Sequence, residues 1–273
     1  MNDRYIRVDG LGFRYQDGTE ALSGVDLTIG SNEFVALIGQ NGSGKTTLSK
    51  CLNGLLKPSA GQVIVDGLDS RSTSIVQMVK RVGYVFQNPD HQLFNGNCWD
   101  EIAYGPRNIE LPEAEVKERV EEAASVVGLP TSSFSEHPFF LSKGMRQRVA
   151  IAAILALRPQ VIIVDEPTTG QDTRQSIEIM EFLVMLHRQH DHTVIIVTHD
   201  MDIVARYADR VIAMAGGRVL GDAPPAELFS DRAVLEATFI EPPQATRLAL
   251  RLEDCGISSG VLSATDLLAQ ISR

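Results

Sequence analysis

The stretch "FVALIGQNGSGKTT", residues 34–47, limits what the chain can fold into more than any other. Residues 34–38 are a short, uninterrupted apolar run, the pattern of a strand buried on both faces. Gly39, Gly42 and Gly44 then let the backbone curl, and residues 46–53 read as a helix, with Leu48 and Leu52 stacked four apart and Gly54 and Pro58 closing it. A strand, a curled loop and a helix start in succession aim N–H groups at one point, and the positive helix end favours an anion there. The spacing is G-x-x-x-x-G-K-[ST]: Lys45 reaches the β- and γ-phosphates of a nucleotide, and the Thr46 hydroxyl can ligate Mg²⁺. Asn41, Ser43 and Thr47 are counted with the same site. The alternative, a glycine-rich turn that only caps a buried helix, is weakened by the strand and helix framing the loop.

"VIIV" occurs at 161–164 and again at 194–197, both short, β-branched and uninterrupted. Three such strands with helical sequence between them make an α/β core. "VIIVDEP" puts Asp165 and Glu166 at the carboxyl end of the second strand, where open α/β sheets bind ligands. Side chains alternate along a strand, so Asp165 is assigned to the Mg²⁺ and Glu166, past the strand end, to polarising the attacking water. Acidic residues merely exposed at a strand end are the alternative. "IIVTHD" sets His199 beyond the third strand, where a neutral imidazole can hydrogen-bond a γ-phosphate; a lone strand-end histidine is more often structural. "HRQHDH", 187–192, reads as a solvated helix end and turn, because its spacing lacks the preceding cysteines of a zinc motif.

Residues 5–9, 11–15 and 25–29 read as short strands of an antiparallel edge layer, joined by turns such as "QDGT". Residues 112–127 place Val116, Val120, Ala123, Ala124 and Val127 on one helical face, with Gly128 and Pro130 as terminators. "VIAMAGGRVL", 211–220, reads as two strands around a Gly-Gly turn. From about 222 the chain is proline-punctuated and weakly helical, which suggests a main domain over 1–221 and a small extension over 222–273.

At 273 residues and 44% hydrophobic composition the chain can bury a sizeable core. Cys51, Cys98 and Cys255 fit no disulfide framework, so a reducing compartment is expected. "MNDRYIRVDG" lacks a basic-then-apolar leader, and the longest apolar run, 149–157, falls short of the roughly 20 residues that span a bilayer. Neither export signal nor membrane span is expected. A formal charge of −10 opposes the attraction that nucleic-acid binding needs.

The order of these pieces resembles the nucleotide-binding subunit of ATP-binding cassette (ABC) transporters over about residues 5–220. The resemblance implies an α/β P-loop NTPase cassette with a parallel core sheet, an antiparallel N-terminal β subdomain and a helical signature subdomain at about 90–155. In that likeness residues 39–46 are the Walker A loop and 161–165 Walker B. Tyr15 stacks on adenine, and Gln87 of "VGYVFQNPD" is the Q-loop glutamine at the Mg²⁺ and the reacting phosphate. Asp172 of "TTGQD" belongs to the D-loop, and His199 is the switch histidine. The signature stands at "LSKGMRQRVA", 141–150, where Ser142 and Gly144 match the family and would contact a partner's γ-phosphate. Lys143 replaces a glycine in the first helical turn, where a cation is mildly unfavourable; it either assists the triphosphate opposite or faces solvent. Met145 replaces a glutamine whose hydrogen bonds it cannot make.

"FQNPDHQLF", and less specifically "DEPTTGQD" and "EPPQATRLALRL", look like the ATPase subunits of energy-coupling factor transporters, which import vitamins and transition metals such as cobalt or nickel. That likeness implies a peripheral ATPase on the cytoplasmic face of the membrane, using ATP and Mg²⁺. It would pair with a second ATPase subunit, the same or a related chain, on a transmembrane scaffold subunit that holds a substrate-binding membrane subunit. No nucleic acid is expected. One cassette carries its phosphate loop and its signature on different faces, so two chains head to tail enclose each ATP between Lys45, Thr46 and Gln87 of one and Ser142 and Gly144 of the other. Phe86, Pro89, Leu93 and Phe94 are either part of a groove for a scaffold helix or plain core.

Rival readings differ in visible features. A conventional ABC importer with a soluble binding protein shares the enzyme and differs in its membrane partners. A soluble cassette ATPase acting on DNA or ribosomes would show a coiled-coil insertion, a second cassette or a basic surface. A regulatory subunit without turnover would lack Glu166 or His199, and both are present.

Overall fold

The computed structural model describes residues 5–272, and its strands form two sheets. In chain order the strands are β1 (Ile6–Arg14), β2 (Glu20–Ile29), β3 (Phe34–Gly39), β4 (Ala60–Val65), β5 (Leu68–Asp69), β6 (Val82–Val85), β7 (Val161–Asp165), β8 (Thr193–Val197), β9 (Arg210–Ala215) and β10 (Arg218–Ala223). The first sheet is antiparallel, in the order β2-β1-β4-β5. The second runs β10-β9-β3-β8-β7-β6, with all neighbours parallel except the β9–β10 hairpin. Parallel pairing puts the carboxyl ends of β3, β6, β7 and β8 on one edge, so the loops carrying residues 39–44, Gln87, Glu166 and His199 all open there.

Every residue of β3, β7 and β8 is buried, as their unbroken apolar runs require. Val35, Leu37, Ile163 and Ile195 pack toward the antiparallel sheet with Ile6, Leu22 and Leu48, the last from α1 (Lys45–Asn53). Ala36, Ile38, Ile162 and Ile196 face the opposite layer of helices. After the short α2 (Ile75–Val79), that layer is built from α3 (Cys98–Asn108), α4 (Glu113–Val126), α5 (Lys143–Leu155) and α6 (Thr173–His190). Helix α7 (Met201–Tyr207) follows β8. The helical region expected at 90–155 thus corresponds to α3–α5, inserted between β6 and β7.

Three local expectations change. Residues 5–9 and 11–15 are one strand, not two: the register shifts between Val8 and Leu11, and Gly10, at φ 55°, absorbs the irregularity. Residues 25–29 are the second half of the longer β2. The "HRQHDH" segment is not wholly solvated, because His187 is buried edge-on to Phe34 with Nδ1 3.2 Å from the His192 carbonyl oxygen.

The segment after 221 begins inside β10 and continues as α8 (Pro225–Leu228), α9 (Arg232–Thr238), α10 (Gln244–Arg251) and α11 (Ala264–Ile271). Leu228, Phe229 and Ile240 join the core beneath the sheet, whereas Ala249, Val261 and Leu267 gather in a small core of their own. None of the described helices is long and apolar enough to cross a membrane.

Candidate functional site

A cleft of about 340 Å³ opens at the carboxyl edge of the parallel sheet. The loop residues Asn41, Gly42 and Gly44 line it, with Lys45, Thr46 and Thr47 from the start of α1. Gln87, from beyond β6, faces them with Asp165 and Glu166 from the end of β7, and Tyr15 closes the side nearest the antiparallel sheet. Gly39 and Ser43 form the body of the loop. A Cβ on Gly39 would stand 2.3 Å from the Met214 carbonyl oxygen and 2.7 Å from Ser43 Oγ, so this position admits no side chain.

Lys45 is buried, and its ammonium donates to the carbonyl oxygens of Gly39 at 2.8 Å and Gln40 at 2.9 Å. Burial lowers its pKa, while Glu166 and Asp165 act in the opposite sense. Asp165 is buried as well; desolvation raises its pKa, and the hydrogen bond from Tyr84 opposes the rise. A buried carboxylate beside a buried ammonium, at a helix N-terminus, is an arrangement for handling phosphate charge.

Glu166 lies in the left-handed region at φ 51°, unusual for a side chain other than glycine, and its N–H donates to the Val197 carbonyl at 2.8 Å. The strand alternation breaks there, and the carboxylate is held from two sides. Thr169 Oγ1 donates to Oε2 at 3.0 Å, and His199 Nδ1 lies 2.9 Å from Oε1. A carboxylate only accepts, so Nδ1 carries the hydrogen, and neutral His199 presents Nε2 as an acceptor. The neutral-imidazole contact to a γ-phosphate expected from the sequence therefore needs a second proton in this arrangement.

Tyr15 is 41% exposed, and its ring meets that of Phe13, a core residue, edge-on at 4.9 Å. The Tyr15 hydroxyl is 2.9 Å from Thr47 Oγ1, which ties its ring to the mouth of the cleft. Ser142, Gly144 and Asp172 do not line this cleft. Ser142 is the N-cap of α5, accepting from Met145 N–H at 3.4 Å, which leaves its hydroxyl hydrogen free to donate. Asp172 is likewise the N-cap of α6, accepting from Gln175 N–H at 2.8 Å.

Sequence reading missed Tyr84, Ser49 and Thr169. Tyr84 stands in β6, a strand too short to mark in the sequence, and its buried hydroxyl donates to Asp165 at 2.8 Å and lies 3.3 Å from Ser49 Oγ. The signal was "VGYV": a tyrosine inside an apolar strand needs a partner for its hydroxyl.

A second cavity, also about 340 Å³, is an apolar groove between α2, β6 and α3. Phe86 and Phe94 line it with Leu55, Ile75, Val76 and Tyr104, and Phe94, 63% exposed, meets Tyr104 edge-on at 4.7 Å. Pro89 and Leu93 are buried and belong to the core, so the expected group of four divides.

This geometry is that of a phosphate-loop nucleotide-binding cassette: one loop for phosphates, two carboxylates at the next strand, and a histidine on the third. A sequence profile of the ABC transporter family matches residues 22–169, and the chain belongs to that family. It is 47% identical to the energy-coupling factor transporter ATP-binding protein EcfA2 of Symbiobacterium thermophilum, over 89% of this chain and 86% of that one. It also matches ABC transporter ATP-binding proteins of Caldanaerobacter subterraneus, Methanosarcina mazei and Methanosarcina acetivorans at 46%, 42% and 41% identity. The chain spans only 44%, 44% and 43% of the lengths of those three. Among solved structures it is similar to cbiO1 of Clostridium perfringens, part of the ABC transporter complex cbiONQ, with TM-score 0.76 and 37% identity over 93% of this chain and 98% of that one. A dimeric post-hydrolysis ATP-binding cassette, MJ0796 bound to ADP and Pi, aligns at TM-score 0.71 and 27% identity over 81% of this chain and 98% of that one.

Proposed function

We propose that this chain is the ATP-hydrolysing subunit of a membrane importer of the energy-coupling factor type, one that takes up vitamins or transition metal ions such as cobalt or nickel. The observation that carries the reading is the union, in one cleft, of the phosphate loop and Lys45 with Asp165 and the Glu166–His199 pair. The loop and Lys45 hold the β- and γ-phosphates, and Tyr15 supports the adenine. The oxygen donors Thr46 hydroxyl, Gln87 amide and Asp165 carboxylate suit Mg²⁺ and would hold it. When bound, that ion neutralises charge on the β- and γ-phosphate oxygens. Glu166, held by Thr169 and His199, orients and polarises the attacking water.

Ser142, Gly144 and Asp172 stand outside the chain's own cleft, which supports their acting on the ATP of a second subunit, the same or a related chain, arranged head to tail. The dimeric cassette among the structural relatives fits that arrangement. The apolar groove at Phe86 and Phe94 fits a helix of a transmembrane scaffold subunit, which would hold the assembly, with its substrate-binding membrane subunit, at the cytoplasmic face of the membrane. The relatives named for energy-coupling factor transport and for cbiONQ support this choice among ABC systems. On this reading residues 1–221 are the ATPase domain and 222–273 an extension, although the first helices of the extension pack on the main core.

The test is phosphate release from ATP and Mg²⁺ by the purified chain, followed by affinity purification from its native membrane. Recovery with a single scaffold protein and a small substrate-binding membrane protein is expected. Recovery with two conventional permeases and a soluble binding protein would overturn the energy-coupling factor assignment, and absence of ATP turnover in any assembly would overturn the enzymatic one.

A further inference from the structure

Lys143 stands where the family signature has glycine, at the first residue of α5, and the structure gives it a use that sequence reading did not foresee. Its side chain is half-buried and does not line the chain's own cleft. The ammonium donates to the carbonyl oxygens of Thr169 at 2.9 Å and Gly170 at 3.1 Å. The approach is close: a Cβ on Gly170, which sits at φ +70°, would fall 2.6 Å from Nζ. A cation at a helix N-terminus is disfavoured by the helix dipole, and two carbonyl acceptors offset that cost.

One turn further along the same face of α5, buried Gln147 donates to the Pro167 carbonyl at 3.0 Å and accepts from the Gln171 side chain. The loop between Glu166 and Asp172 is therefore held against α5 at the carbonyls of residues 167, 169 and 170. Thr169 is the junction. Its carbonyl accepts from Lys143, and its hydroxyl donates to Glu166 Oε2 at 3.0 Å.

We propose that Lys143 is a positioning residue that straps the Glu166–Asp172 loop to the start of α5, so that the element meeting the partner's nucleotide also sets this chain's own water-polarising carboxylate. The relay is Lys143 to Thr169 to Glu166 to His199, four residues joined by three hydrogen bonds. A glycine at 143 has no atom with which to make the first of them, so the coupling belongs to this sequence and not to the signature in general. The proposal rests on the paired-ATPase reading for its catalytic consequence, and on the geometry alone for the strap.

Lys143→Met keeps the length of the side chain and removes its donors, while Lys143→Arg keeps donors. Amide hydrogen exchange of the full chain without nucleotide reads the strap directly, at the amides of Thr169 and Gln171, which bond to the Glu166 and Thr168 carbonyls at 3.3 and 3.2 Å. Loss of two charge-assisted bonds should speed exchange over 166–172 about tenfold in Lys143→Met, with peptides from β7 and β8 unchanged and Arg restoring most of the protection. Steady-state turnover of the assembled transporter should then show kcat lowered about fivefold with KM within about twofold, again restored by Arg. Unaltered exchange over 166–172 in Lys143→Met would overturn the strap, and a loosened loop with unchanged or raised kcat would overturn the positioning role. Absence of turnover in the wild type would instead count against the functional reading, leaving the exchange measurement to decide the strap.

Discussion

The Tyr84 hydroxyl donates to the Asp165 carboxylate at 2.8 Å, across two neighbouring strands and 81 residues of chain. Both side chains are buried, and the bond opposes the desolvation that drives the Asp165 pKa upward. Tyr84→Phe keeps the ring and deletes the hydroxyl, with its bond to Asp165 and its 3.3 Å contact with Ser49 Oγ. It should cost about 1–2 kcal/mol of stability in urea unfolding at neutral pH and move the Asp165 pKa further up. Unfolding midpoints identical to wild type would mean that the bond contributes nothing net.

Glu166→Gln removes the charge proposed to polarise water but preserves the shape of the side chain. ATP binding, followed by titration of a fluorescent nucleotide, should stay within a few-fold of wild type while turnover falls at least about a hundredfold. Undiminished phosphate release would remove Glu166 from the chemistry.

Gly44, the N-cap of α1, sits at φ 103°, and a Cβ there would come 2.7 Å from the Ala21 carbonyl oxygen and 2.9 Å from Leu22 Cδ2. Gly44→Ala therefore strains the backbone and collides with fixed atoms. A loss of about 2–3 kcal/mol in denaturant unfolding is expected, together with nucleotide affinity weakened about tenfold or more. Wild-type affinity in this variant would show that the loop tolerates a different path.

Burial lowers the pKa of His192 below its usual 6.5; neighbouring His190 acts in the same sense, and hydrogen bonds with the backbone of Pro159 and Gln160 oppose it. The folded chain thus binds fewer protons than the unfolded one in the window below 6.5. The resulting stability is complete above that value and is lost as pH falls from there through the folded pKa. Thermal melts across this range should show a shallower acid-side decline for His192→Asn than for wild type. Parallel curves would place the acid sensitivity elsewhere.

What was legible beforehand was local. An apolar run, three glycines, a lysine and a hydroxyl residue in succession announce the phosphate loop because each acts through its own backbone or its nearest neighbours. Asp165, Glu166 and His199 were legible for a related reason: each ends or follows a short apolar run, and a parallel sheet brings such ends to one edge. Tyr84 was missed because four residues of β6 give too short a pattern to mark a strand. The single long β1 reads as two strands because Gly10 interrupts the alternation without ending the pairing.

By itself, then, the sequence determined the phosphate loop, since its geometry is encoded within the fourteen consecutive residues 34–47. Only the tertiary structure decided which distant groups meet at the candidate site: Tyr84 on Asp165, Thr169 and His199 on Glu166, and Lys143 on the loop between Glu166 and Asp172. Those contacts depend on strand order, on register and on where α5 lies against the β7–α6 loop. Such relations come from packing the whole core, and no local pattern of side chains contains them.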